Sequence, residues 1–134
     1  MTSRARGTFE VKLSPAPADD AAQDTSLGRM LIDKEFKGDL AATSKGQMLF
    51  AGAGVEGSAG YVAIERVSGT LHGRGGSFVL QHNGTMTRGA GQLTIVVAPD
   101  SGTGALAGLA GAMTIEIAGE LHMYDFDYSL GESG

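Results

Sequence analysis

Apolar and polar residues alternate in short runs along most of the chain, and glycines separate these runs. In GTFEVKL (7–13), every second residue is a large apolar one, and the same pattern recurs in MTIEIA (113–118) and LHMYDFDYSL (121–130). A period of two places neighbouring side chains on opposite faces, as in a half-buried β-strand. No stretch keeps the 3.6-residue period of a helix, so the chain is predicted to be all-β.

Eight strands are expected. They cover residues 7–13, 27–38, 40–52, 61–72, 77–88, 93–98, 113–118 and 121–130. The helix candidates are a turn within 16–23 and another within 104–110. Eight antiparallel strands joined by short glycine turns form a barrel or a sandwich, and closing the barrel removes exposed sheet edges. We therefore predict a single eight-stranded antiparallel β-barrel domain over residues 1–134.

Charge and composition exclude several classes of function. The formal net charge is −5, and the lysines and arginines are scattered singly, which argues against nucleic acid and anionic membranes as partners. The chain has no cysteine, so zinc–thiolate sites, Fe–S clusters and thiol nucleophiles are excluded. No apolar run approaches the roughly 20 residues of a membrane helix, and no signal peptide is recognised. We expect a soluble, cytoplasmic protein.

The segment SGTGALAGLAG (101–111) follows an apolar run and resembles the start of a phosphate-binding loop. A dinucleotide-binding loop opens a long helix, but the strand-like MTIEIA begins two residues after Gly111. The Gly-Lys-Ser/Thr ending of a P-loop is also missing. We expect no nucleotide here, and predict a wide turn whose small residues let neighbouring strands approach closely.

The segment GRGG (73–76) predicts a hairpin turn, with Arg74 and Gly75 as its central residues. In that register Glu65 lies opposite Gly84, and the mostly apolar face of the hairpin carries Glu65 and His82 as diagonal neighbours. Diagonal neighbours are about 7–8 Å apart between backbones, so their side chains can meet. A three-residue turn would reverse the faces.

A carboxylate and an imidazole in an apolar interior are suitable for proton transfer. Tyr61 and a tyrosine of the last strand are expected nearby. Alternatively, Glu65 pairs with Arg66 or Arg88, and His82 is a hydrogen-bonded core residue. The candidate ligand-binding or acid–base residues are therefore Glu65, His82, Tyr61, Tyr124, Tyr128 and Arg88.

No metal or other cofactor is expected. In the predicted hairpin His72 and His82 face opposite ways, and His122 is the one further histidine. In YDFDY (124–128), the aspartates alternate with aromatic residues, which is typical of a strand with one solvated face rather than of a calcium loop. Tyr124 and Tyr128 on the other face are either pocket or core residues.

Three segments carry a specific resemblance to a known family. They are GYVAIERVSGTLHGRGGSFVLQHNGTM (60–86), PDSGTGALAGLAGAMTI (99–115) and YDFDYSL (124–130). They closely resemble the bacterial family DUF 3224, a domain of unknown function, and GTFEVKL also matches. The family is similar to the allene oxide cyclase and dirigent barrels of plants, so the resemblance implies an eight-stranded barrel. It implies no function, and the catalytic residues of the plant enzymes have no counterparts that can be placed here.

Three functions remain open at this point. The barrel binds a small apolar or aromatic molecule in its interior, or it is an isomerase or cyclase acting on such a molecule, or it is a structural oligomer without ligand. An interior cavity of about 300 Å³ or more favours the first two. Self-association is also expected, most simply as a homodimer, although the plant relatives leave a trimer open.

Overall fold

The computed structural model describes residues 2–15, 27–52 and 54–130. Its strands are β1 (Ser3–Pro15), β2 (Leu27–Gly38), β3 (Leu40–Gly52), β4 (Ala59–Leu71), β5 (Arg74–Thr87), β6 (Ala90–Val97), β7 (Leu109–Ala118) and β8 (Leu121–Leu130). A 3-10 turn spans Gly104–Leu106, within one of the two predicted helical segments. The other, 16–23, lies outside the described residues.

The strands pair in chain order, each antiparallel to the next, and β8 pairs with β1 to close the barrel. The predicted all-β, eight-stranded antiparallel barrel is confirmed. The seam between β6 and β7 is the shortest, with Ile95 opposite Met113 and Val96 opposite Ala112. Side chains alternate across the wall, so every second residue of a strand faces the interior.

The two ends of the barrel are built differently. At one end lie the β2–β3 turn, the β4–β5 turn and the long connection 98–108 between β6 and β7. We call it the closed end. At the other lie the β3–β4, β5–β6 and β7–β8 connections, and we call it the open end.

The connection 98–108 packs across the closed end. The Thr103 amide donates to the Ser77 carbonyl at 2.8 Å, and the Ser77 amide donates to Thr103 Oγ1 at 3.0 Å. These bonds hold Leu106 in the interior, where it is 1% exposed. Below it, the rings of Phe78 and Phe126 stack with centroids 5.9 Å apart.

Glycines let this connection approach β5. A Cβ on Gly76 would lie 2.1 Å from the Thr103 carbonyl oxygen, and one on Gly102 would lie 2.0 Å from the Leu106 carbonyl oxygen. Gly104 has a φ of +60°, a conformation that side chains rarely adopt. The segment is therefore a wide turn that permits close backbone approach, as its sequence predicts.

The predicted centre of the β4–β5 hairpin is wrong. The turn residues are His72 and Gly73, with φ of 48° and 78°, and Leu71 pairs with Arg74. Two positive φ values define the type of turn that matches the twist of a two-residue hairpin. Gly75 suggested a turn in the sequence, but it lies within β5. Glu65 therefore lies opposite Leu80 instead of Gly84.

The inward face of the hairpin is nevertheless as predicted. The register error is four residues, and an even shift leaves every side chain on the same face. His82 lies opposite Ala63, so it remains a diagonal neighbour of Glu65. Both side chains are buried in the barrel.

Candidate functional site

Four polar side chains meet inside the barrel, one from each of the strands β2 to β5. They are Lys34, Ser44, Glu65 and His82, and all four are buried, with Glu65 at 0% exposure. We call them the polar cluster. Gly46 lies opposite Glu65, and a Cβ there would come within 2.8 Å of the Glu65 Cβ. The missing side chain at Gly46 thus leaves room for the glutamate.

The Glu65 carboxylate is the acceptor at the centre of the polar cluster. Its Oε2 accepts hydrogen bonds from Lys34 Nζ at 2.8 Å and from His82 Nε2 at 2.6 Å. Its Oε1 accepts a hydrogen bond from Ser44 Oγ at 2.7 Å. Among the described residues, every side-chain nitrogen or oxygen that is cut off from solvent has a partner. A buried ion pair needs such complete hydrogen bonding to offset its desolvation.

Burial by itself raises the pKa of Glu65. The hydrogen bonds from His82 and Lys34 and the positive charge of Lys34 outweigh that effect and lower the pKa from 4.5 to about 2. Glu65 is therefore ionised at neutral pH and can only accept hydrogen bonds. It follows that His82 Nε2 carries the hydrogen of the Glu65–His82 bond, and no hydrogen bond of the described residues involves His82 Nδ1.

Lys34 is the functional residue that sequence reasoning missed. It lies between Ile32 and Phe36 in the alternating pattern of β2, so the sequence pattern indicates that it faces inward. Its ammonium group lies 5.1 Å from the centre of the Phe9 ring and 5.7 Å from that of Phe36, as cation–π contacts. Ser44, the other missed member, occupies the inward face of β3 in the same way.

Neither arginine proposed as a partner of Glu65 occupies that role, since the cation beside the carboxylate is Lys34. Arg66 points outward from β4 and is exposed. Arg88, predicted on the inward face, is also exposed: it forms the β5–β6 turn with Gly89 and has a φ of 49°. The two-residue turn ends the inward-facing pattern before position 88 is reached.

The tyrosines of β8 are buried, and their hydroxyl groups form hydrogen bonds away from the Glu65–His82 pair. Tyr124 Oη donates to the Lys37 carbonyl at 2.8 Å and accepts from the Leu40 amide at 2.9 Å, which ties β8 to the β2–β3 turn. The Tyr128 hydroxyl bonds to His72 Nδ1 at the closed end. Both hydroxyl groups thus serve the closed end, and neither forms a hydrogen bond with Glu65 or His82.

The three histidines have separate partners. His72 bonds to Tyr128, His82 bonds to Glu65, and the ring of His122 stacks on Phe9 at 5.2 Å. Within residues 2–15, 27–52 and 54–130, no three histidine, aspartate or glutamate side chains are grouped so that they could hold a metal ion. The described chain also has no helix with the length and apolar character needed to cross a membrane.

An apolar pocket of about 360 Å³ opens at the open end, between β3, β4, β5 and β6. Its inward-facing lining includes Met48, Phe50, Tyr61, Gly84, Met86 and Leu93. Three of these face inward yet stay exposed, since Phe50 is 40% exposed, Met86 46% and Leu93 40%. Within the part of the chain that the structure describes, the interior is thus filled at the closed end and exposed at the open end.

Tyr61 connects the pocket with the polar cluster. It lies opposite Gly84, and its ring lies over that glycine so closely that a Cβ there would be 2.1 Å from Tyr61 Cε1. Burial raises the pKa of Tyr61, and the negative charge of Glu65, four residues along β4, raises it further. Tyr61 is thus a neutral phenol at the inner side of the pocket.

These features define a class of protein: a small closed β-barrel with a charged cluster in its interior and an apolar pocket at one end. Residues 5–128 match the family described as "Protein of unknown function (DUF3224)", and the chain belongs to this family. The resemblance found in the sequence is thereby confirmed.

A solved structure supports the same assignment. It is the crystal structure of a protein with unknown function from the DUF3224 family of Shewanella oneidensis MR-1. It is 48% identical to this chain, the similarity covers 99% of this chain and 100% of that one, and the TM-score is 0.92. A search of curated proteins finds no match to this chain.

Proposed function

We propose that the barrel binds a small, uncharged apolar or aromatic molecule in the pocket at its open end. The observation that carries this proposal is the pocket of about 360 Å³, which falls within the range of roughly 300–1,000 Å³ of small-molecule sites. Its inward-facing Phe50, Met86 and Leu93 stay partly in contact with solvent. A ligand that covers them removes apolar surface from water, at about 25 cal/mol per Å².

The polar cluster supports a ligand without charge. Lys34 carries a positive charge, but its Nζ bonds to the Glu65 carboxylate, which neutralises it. The cluster therefore offers no free charge to an ionised ligand. Methionine side chains such as Met48 and Met86 adapt to different apolar shapes, which suits a ligand with a mainly apolar body.

The test is the binding of the neutral fluorescent probe N-phenyl-1-naphthylamine to wild type and to two glycine variants. Gly91 lines the pocket, and a Cβ there meets nothing within 4 Å, so Gly91→Phe introduces a ring at the pocket from a position with room for its first carbon. Gly75→Phe is the matched control, because Gly75 is exposed near the closed end and its Cβ position has one contact, at 3.9 Å.

We expect saturable binding by wild type and by Gly75→Phe. Binding by Gly91→Phe should be weaker by about tenfold or more, which corresponds to about 1.4 kcal/mol. Absence of binding by wild type, or equal binding by all three proteins, contradicts the proposal. It would favour a structural barrel without ligand.

Proton transfer on the bound molecule is the second candidate, as in an isomerase or cyclase. The observation that favours it is the Glu65–His82 pair, in which an ionised carboxylate orients the imidazole through Nε2. Nδ1 has no partner among the described residues and can accept a proton. With a pKa of about 2, Glu65 is itself too weak a base for this role at neutral pH.

Hydrogen–deuterium exchange tests this second candidate without knowledge of the substrate. A neutral aryl methyl ketone is incubated in D₂O with wild type or with His82→Gln, and deuterium at the α-carbon is followed by NMR. Faster exchange with wild type than with His82→Gln supports an enzyme. Equal rates leave the barrel as a binding protein.

A further inference from the structure

We propose that Tyr61 selects the ligand of the pocket, by donating a hydrogen bond to a neutral oxygen acceptor such as a ketone, ester or ether. The inference rests on the proposed function of the pocket and names the chemical class of its ligand. It adds one polar requirement to a site that is otherwise apolar.

The hydroxyl group of Tyr61 points to this role. Tyr61 lines the pocket, and no described residue forms a hydrogen bond with its Oη. Every side-chain nitrogen or oxygen that is cut off from solvent in the described structure has a partner. The Tyr61 hydroxyl therefore keeps contact with solvent, and a ligand that displaces this solvent must replace its hydrogen bond.

The two other tyrosines are buried and use their hydroxyl groups within the protein. Tyr124 Oη bonds to the Lys37 carbonyl and the Leu40 amide, and the Tyr128 hydroxyl bonds to His72. Among the described residues, no hydrogen-bond partner is found for the hydroxyl group of Tyr61, in contrast to those of Tyr124 and Tyr128. A tyrosine with an apolar body and a free polar tip is a common means of orienting a ligand.

The Tyr61 hydroxyl group acts as a hydrogen-bond donor. Burial and the charge of Glu65 raise the pKa of Tyr61, so its phenol keeps its proton and can donate. A carboxylate on the ligand would lose its hydration in this apolar pocket. Lys34 cannot serve as its counter-ion, because its Nζ bonds to Glu65. A neutral acceptor therefore fits better than an anion.

The position of Tyr61 is also fixed by its surroundings. Its ring lies over Gly84, the one residue type that leaves space for a ring directly against the strand. A ring held in this way presents its hydroxyl group in a defined place, which reduces the entropy that is lost when the ligand binds.

The test compares three probes of nearly equal shape: 2-acetylnaphthalene, 2-ethylnaphthalene and 2-naphthoate. Calorimetric affinities are measured for wild type, Tyr61→Phe and the control Tyr128→Phe, whose hydroxyl group lies at the closed end. We expect wild type and Tyr128→Phe to bind the ketone roughly 3- to 10-fold more tightly than the hydrocarbon. The naphthoate should bind least tightly.

Tyr61→Phe should lose the preference for the ketone and keep its affinity for 2-ethylnaphthalene. If Tyr61→Phe keeps the preference, or if wild type binds ketone and hydrocarbon equally, the role of Tyr61 is overturned while the pocket remains a binding site. If wild type binds none of the probes, the proposed function fails as well, so the two failures are distinguishable.

Discussion

The two ends of the barrel carry the same alternating pattern, yet they bury their inward-facing residues to different extents. At the closed end, the connection 98–108 places Leu106 over the core, and Phe78 and Phe126 are almost fully buried. At the open end, Arg88 and Gly89 reverse the chain in two residues, and nothing in that turn reaches over Met86. Among the described connections, the segment 98–108 covers its end of the interior, whereas the two-residue turn at 88–89 leaves Met86 exposed.

The polar cluster lies between these two regions. Phe78 and Leu80 extend the apolar core from the closed end up to Glu65, while Tyr61 begins the pocket on the other side. We infer that the closed half provides the stability of the barrel and the open half provides its function. The following predictions test that division.

The largest expected effect is the loss of Glu65. Glu65→Ala leaves the Lys34 ammonium buried without a counter-ion and should destabilise the fold by about 3–5 kcal/mol. Urea unfolding measures this value. The double variant Lys34→Met with Glu65→Leu removes both charges and should recover much of the stability. No recovery would contradict the ion pair as the source of the loss.

A matched pair of leucines compares the two ends directly. Leu106→Ala removes a buried side chain of the closed end and should cost about 2–5 kcal/mol. Leu93→Ala removes a side chain that is 40% exposed in the pocket and should cost less than about 1 kcal/mol. Thermal or urea unfolding gives both values, and equal losses would show that the open end is as tightly packed as the closed one.

Acid should weaken the fold through Glu65. Its pKa is lowered from 4.5 to about 2 in the folded state, so the unfolded chain binds the proton first as the pH falls. The resulting stability is present above pH 4.5 and is lost progressively as the pH falls from 4.5 towards 2. Urea unfolding of wild type and Glu65→Gln between pH 6 and 3 should show a shallower decline in the variant. Parallel curves would refute this.

The smallest effect on stability is expected for a substitution on the outer wall of the barrel. Self-association through this wall remains a prediction. The outward side chains of β5 and β6 carry no charge, and the neighbouring Val62 and Ile64 of β4 are exposed. In a chain of net charge −5, this wall repels a second copy least, so we propose it as the homo-oligomer interface.

Val62→Glu tests that wall. The substitution is on the outer surface and should change the free energy of unfolding by less than about 0.5 kcal/mol, but it should shift a dimer towards monomer. Light scattering at micromolar concentration measures the mass. A monomeric wild type would refute self-association, and an unchanged oligomer in Val62→Glu would place the interface elsewhere.

Much of the fold follows from the sequence, because each strand carries its own period of two. The inward positions of Glu65 and His82 were also predictable, since they depend only on the parity of the hairpin register. The exact turn was not, because Gly75 and Gly76 suggest a turn as strongly as His72 and Gly73 do. The choice between them depends on pairing along the whole strand.

The partner of Glu65 could not be derived from the β4–β5 hairpin alone. Lys34 comes from β2, two strands away, and its approach depends on the curvature of the closed barrel. Its position between Ile32 and Phe36 indicates that it faces inward, but an isolated lysine in a strand is more often exposed. The pocket could not be predicted from the sequence either, because its presence depends on how far each connection covers the interior.

The central claim is that ligands enter at the open end, and methyl NMR of the methionines tests it most directly. Met48 and Met86 line the pocket, whereas Met113 is buried against Ile95 and Phe126. On titration with N-phenyl-1-naphthylamine, the methyl signals of Met48 and Met86 should shift saturably while that of Met113 stays in place. Signals of Met48 and Met86 that do not move, or a larger shift at Met113, would contradict the account.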